Sequence, residues 1–419
     1  MSGPLRILHL TTELPHADGV SGGSVRQFKL YRALAALGHR VTVVAPVSAA
    51  QHRDFDPVRA LADEGIRLVP TPREESRERE ALRAFSRDPR LLARAAAIPF
   101  YGLQTEMLAG GMRAAIAREA AAGVDVVTVE HDIGAALIDG VPAALPRALT
   151  LENITPAYYR TRAAEATGAK RAAYRWQART TARYLRDRLP RFDALIAVSP
   201  DDAALLDASR LPPIHVVANG TDVAEPLLPP VDGAAPRLLF TGTMSHPPNR
   251  DGILWFAREV WPGLAAAHPE LRLDVVGRAP VPAVVALGET DDRIEVTGGV
   301  PSMVPYYERA TITIAPIFSG GGTRLKVLDA LAAGRPLVTS TIGCEGIAVT
   351  DGQDVLVADE PAAFAASITR LLDAPGDRAA LARAGRQLVE ERYDWNTLGA
   401  HLGDVLADVV ARRGAAASV

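Results

Sequence analysis

Three glycines followed by two cations and an acid carry the clearest chemistry in this 419-residue chain: GGGTRLKVLDALAAGRP, residues 320–336. Gly320, Gly321 and Gly322 let the backbone approach a ligand closely and aim its N–H groups outward. They lead into a helical pattern from about Thr323 to Ala333, stopped by Gly334 and Pro336. A helix start attracts anions. Arg324 and Lys326 fall in the first turn, where cations oppose the helix dipole at a cost of roughly a few tenths of a kcal/mol each. Two such cations make sense if a polyanion lies at the helix start. At about 100° per residue, Lys326 and Asp329 share one side while Leu325, Leu328 and Ala332 form the buried stripe. Asp329 can then accept hydrogen bonds from a ribose while Lys326 holds phosphate. The competing reading is an exposed Lys–Asp pair beside an ordinary tight turn, worth under about 1 kcal/mol.

Other segments end strands in the same way. FTGTMSHPPNRDG (240–252) carries Gly242, Thr243 and, a few residues on, Arg250; the bland alternative is a plain strand-to-helix turn with Asn249 near the helix start. VVGRAP (275–280) ends a strand with Gly277 and Arg278, GGVPSMVPYYERA (298–310) contains Val300, and STIGCEGI contains Glu345. Near the N-terminus, ELPHADGVSGGSVRQ (13–27) is a glycine-rich loop with Gly22 and Gly23, and His131 follows an apolar run at 124–129. A lone histidine after a strand is commonly a capped loop residue, which is the alternative for His131. A dinucleotide fingerprint is the rival reading of the first loop, but GxGxxG is absent and no suitably placed acid ends the second strand. The pairs Asp201–Asp202 and Asp291–Asp292 lack the company expected of metal ligands, and Asn219-Gly220 reads as a structural tight turn.

The elements that must position these residues alternate short apolar runs with longer helical patterns, the signature of βαβ units. Strands are expected at 6–10, 40–45, 124–129, 148–151, 194–198 and 214–217, with a helix over about 24–37 that ends at Gly38. Their nearly continuous apolar character suits parallel strands covered on both faces. Residues 224–236 (AEPLLPPVDGAAP) break the pattern and read as a linker. Alternation resumes with strands at 237–240, 271–276, 294–297, 311–315, 336–339 and 355–357. The expected fold class is therefore α/β: two Rossmann-like, doubly wound domains facing across a cleft. They span 1–223 and 237–394, joined by 224–236. A terminal helix from 395 packs back on the first domain, with a frayed tail over 414–419.

Composition narrows the class. Hydrophobic residues make up 48% and charged residues 23%, and the net charge is -3, which gives no reason to expect a nucleic-acid partner. With one cysteine, Cys344, neither a disulfide framework nor a cysteine metal site is available. No signal-peptide pattern and no spanning apolar run is found, so the expectation is a soluble cytoplasmic protein. Between 160 and 191, ten basic side chains face only Glu165 and Asp187, a net charge of about +8, with Tyr174, Trp176 and Tyr184 interleaved. This stretch, expected to be one helical run, suits an anionic membrane surface or a phosphate-bearing acceptor. The alternative is a solvated helix with snorkelling arginines.

The GGGTRxK segment and the order of the other motifs resemble glycosyltransferase family 4, the retaining enzymes of GT-B fold, over nearly the whole chain and least from about 50 to 120. Aligned on ALAAGRP, the second acid of the family's Glu-x7-Glu motif falls on Asp329 and the first on Gly321, a departure shared by a subgroup with GGGTRxK. The resemblance implies a sugar transfer from a nucleotide-diphosphate donor to a hydroxyl of a sugar, lipid-linked or small-molecule acceptor, with retention, without a metal or other cofactor. It implies donor binding by Gly22, Gly23, Gly242, Thr243, Arg250, Gly277, Arg278, Val300, Gly320 to Thr323, Asp329 and Glu345. His131 would touch the donor sugar. Since the family's usual Arg and Lys after the Gly242 loop are reduced to Arg250, Arg324 and Lys326 are expected to supply the missing charge. A sugar-nucleotide epimerase of the same fold and a non-catalytic nucleotide-sugar-binding protein are the alternatives.

Overall fold

The computed structural model describes residues 3–17, 21–48, 51, 56–73, 100–223, 228–229, 231, 235–320 and 322–417. Gly321, residues 18–20 of the first glycine-rich loop and part of the linker lie outside them. The chain divides into two compact units, Met1–Ala218 with Leu398–Val419, and Asn219–Thr397.

The first unit holds a seven-stranded, wholly parallel sheet: β1 (Arg6–Leu10), β2 (Arg40–Ser48), β3 (Ile66–Arg73), β4 (Val126–Glu130), β5 (Arg147–Leu151), β6 (Ala194–Ala197) and β7 (Ile214–Val216), in the order β3-β2-β1-β4-β5-β6-β7. Its helices are α1 (Gly22–Ala36), α2 (Pro57–Ala62), α3 (Phe100–Ala121), α4 (Thr155–Glu165), α5 (Gly168–Arg188) and α6 (Pro200–Ala204). The second unit repeats the plan with β8 (Arg237–Thr241), β9 (Arg272–Val276), β10 (Ile294–Gly298), β11 (Ile312–Ala315), β12 (Leu337–Thr339) and β13 (Leu356–Val357), ordered β10-β9-β8-β11-β12-β13. Its helices are α7 (Pro247–Glu259), α8 (Trp261–Ala267), α9 (Pro282–Thr290), α10 (Val304–Arg309), α11 (Leu325–Ala332), α12 (Pro361–Asp373) and α13 (Pro375–Arg392), followed by α14 (Trp395–Ala417). Both sheets are doubly wound, reversing strand order at β1/β4 and at β8/β11, where such folds gather ligands beyond the strand ends.

The apolar runs form the sheets because each strand is sheathed: Val126, Val127 and Val129 of β4 are fully buried, as are Leu238 and Phe240 of β8. Phe256 on α7 and Phe364 on α12 pack edge to face 5.9 Å apart over the second sheet, and burying each ring contributes roughly 2–3 kcal/mol.

Five readings of the sequence need correcting. β3 was not foreseen because Pro70 and Pro72 interrupt its apolar run; as the edge strand it has one ladder face where missing N–H groups cost nothing. α3, which carries Gly110 and Gly111, was also not foreseen. The basic stretch is not one helix but two, broken at Ala166 and Thr167 before Gly168 at φ 55°. The expected frayed tail is helical to Ala417. α11 starts at Leu325, with Arg324 in the capping position at φ -85° and ψ 91°, so only Lys326 stands within the first turn.

Candidate functional site

In the second unit, the ends of β8 and β9 meet backbone to backbone. Gly277 adopts φ 152°, and a methyl group on it would lie 1.7 Å from the Gly242 carbonyl oxygen. Only glycine permits that approach. The crossing is tied by Gly242 N–H to Val276 O (3.0 Å), Gly277 N–H to Gly298 O (2.9 Å) and Met244 N–H to Arg278 O (2.8 Å).

Beside this crossing stands the Lys326 ammonium. Its Nζ donates to Asn249 Oδ1 at 2.7 Å, lies 4.3 Å from the centre of the Phe240 ring, and would be 2.8 Å from a methyl group on Gly242. Asn249 is itself buried and fixed by Nδ2 donating to Thr243 O at 2.9 Å. The niche is short of counter-charge. Burial first, then the nearby Arg324 charge, pushes the Lys326 amine down to about 7, against the pull of Asp329. Partial desolvation and the charges of Lys326 and Arg324 likewise lower His246. A cation short of counter-charge beside glycine backbone, at the ends of two interior strands, is an arrangement that an anion would complete.

Arg324 folds over the glycine loop, donating to the carbonyls of Gly322 and, at 2.9 Å, Gly320. Burial lowers it while the Glu345 charge raises it, so Glu345 belongs to the same neighbourhood, as an exposed acid after β12. Asp329 Oδ1 accepts from Thr221 Oγ1 at 2.7 Å, and burial together with the Asp329 charge raises the Tyr307 phenol. Arg250, half-buried next to Asn249, is paired with its neighbour Asp251 at 2.7 Å. Arg278 is exposed beyond β9, Val300 half-buried just after β10, Thr243 exposed and Thr323 half-buried. The two aspartate pairs are otherwise engaged: Asp202 by Ser199 at 2.6 Å, and Asp291 by Arg293 and Trp261. Asn249 was the partner that sequence reasoning undervalued; its spacing from Gly242 was the available signal.

In the first unit the strand ends carry a different chemistry. His131 caps a 3-10 turn directly after β4 with φ 72°; it and Ala279, at 52°, are the non-glycine residues at positive φ among those described. Such strain persists only where surroundings enforce it. Here Asp132, fully buried, accepts from Thr155 N (2.9 Å) and Oγ1 (2.8 Å) and lies 3.3 Å from His131 Nδ1. Burial would lower the imidazole, but the bond and charge of Asp132, with the charges of Glu152 and Glu13, raise it to about 9. His131 is thus an imidazolium at neutral pH.

Around it gather acids that sequence reasoning did not single out. Glu130, the last residue of β4, pairs in register with Thr150, so Glu152, two residues on, shares its sheet face. Burial and the Glu152 charge hold Glu130 well above the usual carboxylate range, against the buried Arg26. Arg26 donates to Val217 O (2.7 Å) and Ala218 O (2.6 Å). The Glu152 carboxylate rests on Gly23 at the start of α1: a methyl group there would meet Oε2 at 2.4 Å. Gly22 stands in open space beside it. Glu13 accepts from Ser21, the α1 cap, at 2.6 Å. Deeper on the same face His9 bridges Thr128 (3.0 Å) and Gln27 (3.1 Å), and burial lowers it to about 4. The signal that could have found Glu130 and Glu152 was an acid at the end of each of two adjacent parallel strands.

Comparison with known proteins agrees with this architecture. Residues 20–225 match the family model Glycosyltransferase Family 4, and 235–374 match Glycosyl transferases group 1. A D-inositol 3-phosphate glycosyltransferase from Acidothermus cellulolyticus is 34% identical over 203 residues, 45% of this chain and 44% of that protein. The matched stretches span less than half the length of the curated relatives. Among solved structures, a sucrose-phosphate synthase from Thermosynechococcus elongatus superposes with TM-score 0.68 at 17% identity, over 97% of this chain and all of that one. HepE from Anabaena, in complex with UDP, superposes with TM-score 0.63 at 14% identity over 96% of this chain and 100% of that one. With two consecutive family matches and two doubly wound parallel sheets, the chain belongs among the glycosyltransferases of GT-B type.

Proposed function

We propose that the protein transfers a sugar from a nucleotide-diphosphate donor to an acceptor hydroxyl, with retention of configuration and without a divalent metal. The observation that carries this reading is Lys326, a cation held by Asn249 and an aromatic ring against glycine backbone, with burial pressing it to deprotonate. A diphosphate there supplies the missing counter-charge. Arg324, now clamped on the carbonyls of Gly320 and Gly322, adds a second cation once the loop receives the anion. As the anomeric bond breaks, negative charge grows on the leaving phosphate oxygens, and two fixed cations stabilise it as a metal would. Asp329 takes the ribose hydroxyls, and the Gly242, Gly277 and Val300 backbone lines the nucleotide. UDP sugars are the first donors to try, since the similar HepE is described in complex with UDP and with UDP-glucose.

The first unit serves the sugars. The His131 imidazolium donates a hydrogen bond to a sugar hydroxyl, and the Glu13 and Glu152 carboxyls accept from acceptor hydroxyls, backed by the buried Glu130. No carboxylate is assigned as a covalent nucleophile; the acceptor hydroxyl attacks from the leaving-group side and its proton passes to the departing phosphate.

Turnover of a UDP-sugar panel with and without EDTA, with the product anomer read by NMR, tests the reading. Incubating donor alone separates it from the epimerase alternative, which gives epimerised sugar; a binding protein would bind the donor and leave it unchanged even with an acceptor present. Chelator-sensitive transfer, or an inverted product, would refute the stated mechanism.

A further inference from the structure

The basic stretch is not used by the reading above, and its folded form is more specific than its composition. α4 and α5 make a helical hairpin, with Tyr159 and Tyr174 stacked 6.2 Å apart between the two helices. Between the two helices runs a groove of about 460 Å³. Arg160 of α4 and Arg171, Arg175 and Arg179 of α5 line it over a floor of four alanines, Ala163 and Ala178 among them. The α5 residues recur at helical spacing, so one face carries all three guanidinium groups. That row of like charges destabilises an isolated helix; of the three, Arg171 is held at the carbonyl end of α4, its Nε donating to Ala166 O at 2.7 Å. Arg160, Arg175 and Arg179 make no ion pair among the described residues, and the acid Glu165 is taken by Arg162 at 3.2 Å. Short floor side chains keep the groove open where longer ones would fill it. The same hairpin carries the two most exposed aromatic side chains among the described residues, Tyr158 at 54% and Trp176 at 40%.

We propose that this groove docks the protein on an anionic phospholipid surface, the arginines holding lipid phosphates. The charge demands an anion. The apolar floor and the two exposed aromatics favour one attached to a hydrocarbon interface over a free phosphate, since Trp and Tyr settle where one end is apolar and the other wet. Arginine forks match phosphate oxygens in pairs. No helix among the described residues is long and apolar enough to cross a membrane, so this contact is interfacial.

The test is flotation of the full chain with vesicles of phosphatidylcholine alone and of phosphatidylcholine with about one-third phosphatidylglycerol, a fraction that gives a strongly negative surface. Binding is expected only to the anionic vesicles, weakening in high salt. Trp176 emission should shift to the blue on binding, and Trp176→Phe should remove the shift. R175A/R179A should cut partitioning about thirtyfold, at roughly five- to sixfold per cation near the surface, while leaving UDP-glucose binding unchanged. That last arm separates this inference from the sugar-transfer reading, which stands or falls alone. Three results would overturn it: no preference for anionic vesicles, a double variant that still floats like wild type, or release by millimolar inorganic phosphate, which would mark a free-anion site.

Discussion

The two units share a winding order and a place for chemistry, and fill that place with opposite charge. Beyond the strands of the second sheet stand Lys326 and Arg324, with the amine lowered to about 7 by burial and then by the Arg324 charge. Beyond those of the first stand Glu13, Glu130 and Glu152 around an imidazolium raised to about 9. The sheet dictates where ligands gather, because strand ends and helix starts converge at the switch point. The residues select the ligand, and on the proposed reading that is a polyanion in one unit and a hydroxyl-rich sugar in the other. Fold similarity therefore reaches only as far as location, and the charge pattern has to be argued side chain by side chain.

Removing the cations should break the comparison most severely. R324A/K326A is expected to lower kcat/KM by at least about a thousandfold, as loss of fixed donors to a developing oxyanion does, with an unchanged circular dichroism spectrum. Next comes the glycine crossing. Gly277→Ala drives a methyl group into the Gly242 carbonyl and should cost about 3 kcal/mol or more, read as a fall in Tm of several degrees. Gly23→Ala meets only the end of the Glu152 side chain, which can swing away, so its Tm should fall by much less. Equal losses at the two glycines would contradict this contrast between a fixed backbone and a movable carboxylate.

His131→Gln keeps a donor but removes the charge, and should reduce kcat/KM by about tenfold to a hundredfold. The sign of its pH dependence follows from the raised imidazole. The His131–Asp132 pair contributes stability in full below the unfolded histidine value, about 6.5, and loses it as pH rises through about 9. Wild-type activity, already falling above neutrality as Lys326 discharges, should show a second fall near pH 9 that is missing in His131→Gln. A limb that survives the substitution belongs to another group.

Much of this was legible in the sequence, and the exceptions have physical causes. Both sheets could be read because buried parallel strands show as apolar runs bounded by glycine and proline. β3 escaped because Pro70 and Pro72 look like breakers unless the strand is known to lie on an edge. The glycine–cation segment identified Lys326, but its contacts with Asn249 and Phe240 depend on how α7 and β8 pack, which no local pattern encodes. Arg250 illustrates the converse: it has the right residue type and spacing, yet it pairs with the adjacent Asp251. Glu130 and Glu152 meet through strand register, a relation between segments some twenty residues apart that periodicity cannot show.

The central claim, that the Lys326 niche receives the donor diphosphate, is tested most directly by calorimetric titration of UDP-glucose in buffers of different ionisation enthalpy. The diphosphate of a sugar nucleotide carries no free phosphate ester to titrate near neutrality, so protons taken up report the protein. At about pH 8 the empty niche is mostly neutral, given an amine lowered to about 7, and binding must recharge it. The account predicts uptake approaching one proton, with affinity falling up to about tenfold per pH unit above neutrality. In Lys326→Ala the uptake should vanish. Binding without proton uptake, or uptake that persists in the variant, would contradict it.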